Sequence, residues 1–280
     1  MKTRIISGIV MGVIVAAVLA LGFLVEPIII TVAVALIAAG AVYELIHNAA
    51  GIKSKIAVAG AIVFAFLYVI ASDNSVFVKP YSSLWLSPVL VRAVALAYFL
   101  FAVVMVLKNH KEFDLGKIVS LFALPLPYAY AFSCLAGVIK HTDGIYYLLL
   151  LLNFSSVCDM GAYFVGVTMG KHKLCPNLSP KKTVEGAVGG IVSSIIVTVI
   201  IVLCFIKSLC ISLWIPMILT IPFCILGMLG DLFASAIKRS VGLKDYSNLI
   251  PGHGGILDRV DSIIMIAPFL YFAIYYLGVL

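Results

Sequence analysis

Charge is scarce in this 280-residue chain: 11% of its residues are Asp, Glu, Lys or Arg, and only 12 are acidic. A soluble globular domain carries roughly 25% charged and about 45–50% apolar residues, whereas 64% are hydrophobic here. So little charge cannot cover a water-soluble fold, and the chain reads as an integral membrane protein. The period-two alternation of a transmembrane barrel is also lacking. The apolar runs are long and continuous, so with no water to satisfy the backbone they must be helices. No C-x-x-C pair occurs, and the six cysteines (Cys134, Cys158, Cys175, Cys204, Cys210 and Cys224) read as small buried hydrophobes rather than a metal or redox site. There is no internal repeat, no low-complexity tract and no P-loop. Gly170-Lys171 would need a glycine at position 165, which is Val165.

A helical span needs about 20 mostly apolar residues. The hydropathy predicts nine, near 5–24, 28–47, 56–71, 89–107, 118–139, 146–168, 187–206, 212–232 and 262–280. The first resembles a signal peptide, but its apolar part exceeds the usual 7–15 residues or so, and it is expected to be a retained span. Pro125, Pro127, Pro216, Pro222 and Pro268 fall within or near spans and are expected to kink them. With the amino end inside, only Lys79, Arg92, Lys140 and Lys207 of the 19 basic residues fall outside. Lys and Arg collect on the cytoplasmic side, so the net charge of +7 reflects orientation and attraction for anionic headgroups. It does not point to a nucleic-acid partner. Gly8/Gly12 and Gly166/Gly170 have the spacing of close helix contacts.

Residues 1–145 form a set of spans with no individual roles assigned. Residues 146–280 form the expected catalytic region, with two cytoplasmic loops, 169–186 and 233–261, too polar to span. Asp159 and Asp231 lie at the cytoplasmic ends of spans beside those loops, and intramembrane carboxylates are expensive unless they face a partner, a cavity or an ion. Glu44, also at a cytoplasmic helix end, reads as a hydrated interfacial acid. Asp231 and Ser235 are four apart, and Asp258 and Asp261 three apart, so each pair shares a helix face. Aligned carboxylates beside water can hold Mg²⁺, the nearby glycines let backbone N–H groups approach an anion, and Lys238, Arg239, Lys244 and Arg259 supply counter-charge for phosphates. Orientation alone accounts for the lysines, but not for aspartates set among them beside a glycine cluster.

Residues 235–261 read SAIKRSVGLKDYSNLIPGHGGILDRVD, which resembles the signature of the CDP-diacylglycerol synthases (phosphatidate cytidylyltransferases). Two further segments resemble the same family: Asp159-Met160-Gly161-Ala162-Tyr163 with Gly166 and Gly170, and Ser179-Pro180-Lys181-Lys182-Thr183 with Glu185-Gly186. All lie in the carboxyl-terminal half; residues 1–145 match only in hydropathy.

The resemblance implies an all-α, polytopic integral membrane enzyme of about nine transmembrane helices, in the bacterial inner membrane with a polar site facing the cytoplasm. It implies cytidylyl transfer from CTP to phosphatidic acid, giving CDP-diacylglycerol and pyrophosphate for phospholipid biosynthesis. Asp231, Asp258, Asp261, Lys238 and Arg259 would then be catalytic. Ser179, Lys181, Lys182, Ser235, Arg239, Lys244, His253, Gly254 and Gly255 would bind substrate. Mg²⁺, with room for a second cation, would be held by Asp231 and Asp258 first, with Asp261 and Asp159 next. CTP, phosphatidic acid and membrane lipids are the implied partners; self-association stays open. A phosphate monoester has a second pKa near 6, so no strong general base is needed, and His253 is expected to donate to phosphate or to fix its loop. A transporter would instead spread polar residues to both faces. A lipid kinase using CTP, or cytidylyl transfer to an archaeal ether-lipid phosphate, would share the cytoplasmic site.

Overall fold

A computed structural model describes residues 2–73, 86–176, 178–209 and 213–278. Lys79, Pro80 and Cys210 lie outside the described residues, as do the side chains of Lys2, Arg4 and Lys207. The helices are α1 (Lys2–Leu24), α2 (Ile28–Tyr43), α3 (Lys55–Ala71), α4 (Leu86–Lys108), α5 (Leu115–Ala123), α6 (Pro125–Lys140), α7 (Gly144–Leu152), α8 (Cys158–Met169), α9 (Val184–Leu209), α10 (Trp214–Ser240) and α11 (Leu257–Phe272). Widened π turns continue α2 (Glu44–Ala49) and α11 (Ala273–Leu277), and Asn153–Val157 joins α7 to α8. Among the described residues, eight helical segments are long and apolar enough to cross a membrane; α3 is a shorter apolar helix where the third span was expected. The architecture is an all-α polytopic membrane protein. A small exception is the antiparallel hairpin of β1 (Lys173–Cys175) and β2 (Ser179–Thr183), in a segment the sequence marks only as a polar loop.

The chain packs as two units: Met1–Gly137 with Val241–Arg259, and Val138–Ser240 with Val260–Leu280. Contacts therefore divide the chain near residue 137, and they assign 241–259 to the amino-terminal helices.

In the first unit, Ile46, Phe64, Tyr98, Ala102, Leu121 and Ala129 belong to one buried core. Its chemistry accounts for the break between α5 and α6. The Leu121 carbonyl would normally accept from the N–H of residue 125, but Pro125 has none. Tyr98 supplies the missing donor through its hydroxyl, 2.8 Å from the Leu121 oxygen, and its ring stacks on Phe64 at 4.2 Å.

In the second unit, α8 and α9 approach closely because glycines line their seam. A Cβ at Gly186 would lie 2.6 Å from the Ala162 oxygen, and one at Gly190 2.6 Å from the Cys158 oxygen. Gly166 faces Thr183 and Gly186, so the helix contact expected there is present. Gly8/Gly12 does not behave that way: a Cβ at Gly12 would meet nothing within 4 Å beyond its own helix, and Gly8 faces the His253 ring. Buried Asn153 donates to the Ser194 carbonyl at 3.0 Å and to Thr198 Oγ1 at 2.9 Å, tying the π turn to α9. Cys134, Cys158 and Cys224 are buried free thiols, as expected, whereas Cys175 is half-buried and Cys204 exposed.

Candidate functional site

In the second unit, a cavity of 690 Å³ lies against α8, the hairpin, the start of α9 and the second half of α10. One part of its wall is polar: Asp159, Lys173, Ser179, Lys181, Lys182, Thr183 and Asp231. Another part is apolar, with Ala162, Tyr163, Val167, Leu174, Ala187 and Met228. Tyr163 and Val167 are largely exposed, so the cavity has an oily side open to the surroundings of α8. Lys182 forms an ion pair with Asp231, each side chain about a quarter exposed at 25% and 28%. Asp159 interacts electrostatically with both. Asp261, at the start of α11, lies within electrostatic reach of Asp231, Lys238 and Asp159. Three carboxylates and two lysines from four segments are thus gathered: Lys238 is buried, Lys182, Asp231 and Asp261 are half-buried, and Asp159 is exposed, and charges set among apolar spans are costly without such partners.

The hairpin that carries Lys181 and Lys182 is held by Glu185. Its carboxylate accepts from the N–H groups of Lys171 and His172 at 3.0–3.2 Å and meets His172 Nδ1 at 2.6 Å. Ser235 lies one turn beyond Asp231 on α10, and Arg239 is exposed at the helix end; neither lines the cavity. Lys238, by contrast, is buried.

The first unit holds the rest of the signature. Lys244, Asp245, Asn248, Gly252, His253, Gly254 and Arg259 line a second cavity of 480 Å³. Asp258 does not open onto it. It is buried, and its Oδ2 accepts from Tyr246 N–H at 2.8 Å and Gly255 N–H at 3.0 Å. The Gly255 N–H is therefore committed within the protein and is not a phosphate donor. Gly254 adopts φ +82°, which favours glycine. Ser7 Oγ donates to the Pro251 carbonyl at 2.9 Å and is hydrogen-bonded to His253 Nδ1 at 2.8 Å. Loop fixation is the role this geometry supports for His253.

Among the described residues, no three His, Cys, Asp or Glu side chains converge tightly enough to form a metal cage. Mg²⁺ does not require one; it is commonly held by one or two carboxylates, with water and substrate phosphates completing the shell. The Asp159, Asp231 and Asp261 group fits that pattern.

Sequence reasoning missed Glu44. It is 1% exposed and binds Ser247, Ile256 and Leu257, so it is not a hydrated interfacial acid. Nothing in its immediate neighbours distinguishes the two situations.

The sequence profile of the cytidylyltransferase family matches residues 2–277. A phosphatidate cytidylyltransferase of Staphylococcus haemolyticus (strain JCSC1435) is 33% identical over 189 residues, covering 66% of this chain and 70% of that protein. One from Bacillus subtilis (strain 168) is 37% identical over 185 residues, covering 62% and 65%. One from Staphylococcus saprophyticus is 40% identical over 129 residues, 46% of this chain and 49% of the relative, so that match spans about half its length.

Proposed function

The chain belongs to the cytidylyltransferase family, and we infer that it transfers the cytidylyl group of CTP to phosphatidic acid, giving CDP-diacylglycerol and pyrophosphate. The observation that carries this reading is the two-sided cavity of the second unit. Its cations can face a phosphate while its apolar wall accepts a lipid tail. A phosphate oxygen of the lipid attacks the α-phosphorus of CTP, the bond to the bridging oxygen of the β-phosphate breaks, and pyrophosphate departs. The nucleophile is already ionised at neutral pH, its second pKa being near 6. The chain's task is to bring several negative groups together and hold them in line.

Lys182 and Lys238 supply positive charge in the second unit, Lys244 and Arg259 in the first. An incoming phosphate competes with Asp231 for the Lys182 ammonium, freeing the carboxylate as substrate arrives. When bound, Mg²⁺ would neutralise phosphate oxygens at Asp231 and Asp261, with Asp159 beside them. Asp258, three residues before Asp261 on α11, is the remaining candidate.

We place both loops in the cytoplasm of a bacterial inner membrane, because the basic residues collect on that side. Sealed vesicles of known orientation test location and activity together. CTP added to the cytoplasmic face is expected to release pyrophosphate only when phosphatidic acid is present. Use of CTP from the outer face alone would reverse the orientation, and release without phosphatidic acid would remove the lipid as acceptor.

A further inference from the structure

We propose that Glu44 is the positioning residue of the 241–259 loop, fixing the cations of that loop in the geometry the transfer needs; the proposal rests on the cytidylyl-transfer reading. Before α11 begins at Leu257, the loop contains no regular secondary structure beyond an isolated bridge, Ile250 to Gly254. Its backbone bonds to itself at few points, so side chains hold it: Asp258 from within, and Ser7, Glu44 and Asn48 from outside.

Glu44 provides the densest of these. Ser247 Oγ donates to Oε1 at 2.6 Å, Ile256 N–H donates to Oε1 at 2.9 Å, and Leu257 N–H donates to Oε2 at 2.9 Å. The two amides lie at the amino-terminal end of α11, where N–H groups have no partner within the helix and the dipole favours an anion. The carboxylate thus caps a helix more than 200 residues away in sequence and pins the middle of the loop through Ser247.

The surrounding residues are shaped to admit it. A Cβ at Gly255 would lie 2.6 Å from both carboxylate oxygens, so any side chain there would expel Glu44. One turn earlier on α2, a Cβ at Gly40 would lie 2.5 Å from Ile256 Cδ1. One turn later, Asn48 Nδ2 donates to the Tyr246 carbonyl at 2.8 Å. Gly40, Glu44 and Asn48 are spaced by four and present one face of the helix to the loop. His253 lies between these anchors and Lys244 and Arg259 lie two residues outside them, and all three line the 480 Å³ cavity. A buried carboxylate is costly unless its hydrogen bonds are made, so the clamp holds one arrangement rather than several.

Glu44→Gln removes the charge and places an NH₂ group against one of the backbone donors. It is expected to lower kcat/KM by about tenfold or more, the scale of a modest misplacement of reacting groups. In full-length protein in detergent, backbone hydrogen exchange should accelerate across 246–257 and stay unchanged across 173–183. Ser247→Ala loses one bond of the three and should lower kcat/KM by roughly two- to tenfold, with faster exchange confined to the same loop. Combined with Glu44→Gln it should add little, because the two share one contact.

Turnover of Glu44→Gln within twofold of wild type overturns the proposal, as does exchange that rises equally everywhere, which marks a general folding role. If Glu44→Gln does not accumulate, Ser247→Ala decides: exchange identical to wild type in the loop overturns the clamp. A wild-type protein that forms no CDP-lipid would remove the proposed function instead, while the exchange pattern would still report on the clamp.

Discussion

Asp231→Asn is expected to reduce turnover by at least about 100-fold, the scale seen when one electrostatic group is removed from a reaction site, while the protein still folds and inserts. Asn has nearly the same shape as Asp, so the helix and the cavity wall should persist; only the charge is lost. That charge has two uses. It pairs with Lys182, and it interacts with Asp261 and Asp159. If the ion pair were its whole purpose, the variant would lose stability and the folded fraction would turn over normally. A pair only about three-quarters buried contributes less than a fully buried one, whose disruption costs about 3–5 kcal/mol. If the carboxylate instead helps hold a cation against phosphate oxygens, activity falls far more than the unfolding temperature. Turnover per monodisperse protein, set beside the thermal midpoint, separates the two. Wild-type turnover should also disappear in excess chelator. Near-normal turnover of Asp231→Asn, or of wild type in chelator, would contradict the cation reading.

Lys182→Gln is expected to lower kcat/KM by about 10- to 100-fold, and Lys181→Gln by only a few-fold. Both side chains line the cavity, yet Lys182 is half-buried and paired with Asp231, whereas Lys181 is exposed. An exposed ammonium acts through water and is screened by salt. A half-buried one acts over a shorter distance with less screening. The double change Lys182→Gln with Asp231→Asn should cost less than the product of the single effects, because the residues form one pair. Steady-state kinetics with each substrate varied in turn gives the comparison. Equal effects at the two lysines would mean that the hairpin attracts substrate by bulk charge, not through a defined contact.

The sequence exposes whatever depends on local composition. Long apolar runs mark the helices, and Pro125 marks the break between α5 and α6. Asp159 and Asp231 announce themselves because charge is rare in spans and therefore needs a reason, and Lys182 stands out through the family resemblance of its loop. What stays hidden depends on partners distant in the chain. Glu44 looks like any acid at a helix end, since its partners lie 203–213 residues away. Gly255 looks like an anion-binding glycine until the carboxylate that fills its missing side chain is known. Asp258 stands in line with Asp261 by spacing, but its Oδ2 turns back to the N–H groups of Tyr246 and Gly255. The hairpin is likewise obscure: Ser179-Pro180-Lys181-Lys182-Thr183 has one β-branched residue and no apolar alternation, and pairing with 173–175 organises it.

The fate of the CTP phosphates tests cytidylyl transfer to phosphatidic acid most directly. Purified protein is given phosphatidic acid with CTP carrying a radioactive label on the α-phosphate, or in a parallel reaction on the γ-phosphate. Transfer of the cytidylyl group puts the α label into the lipid fraction, leaves the γ label in pyrophosphate, and does neither when phosphatidic acid is omitted. Appearance of the γ label in lipid, with the α label remaining in soluble CDP, would make the protein a kinase and contradict the account.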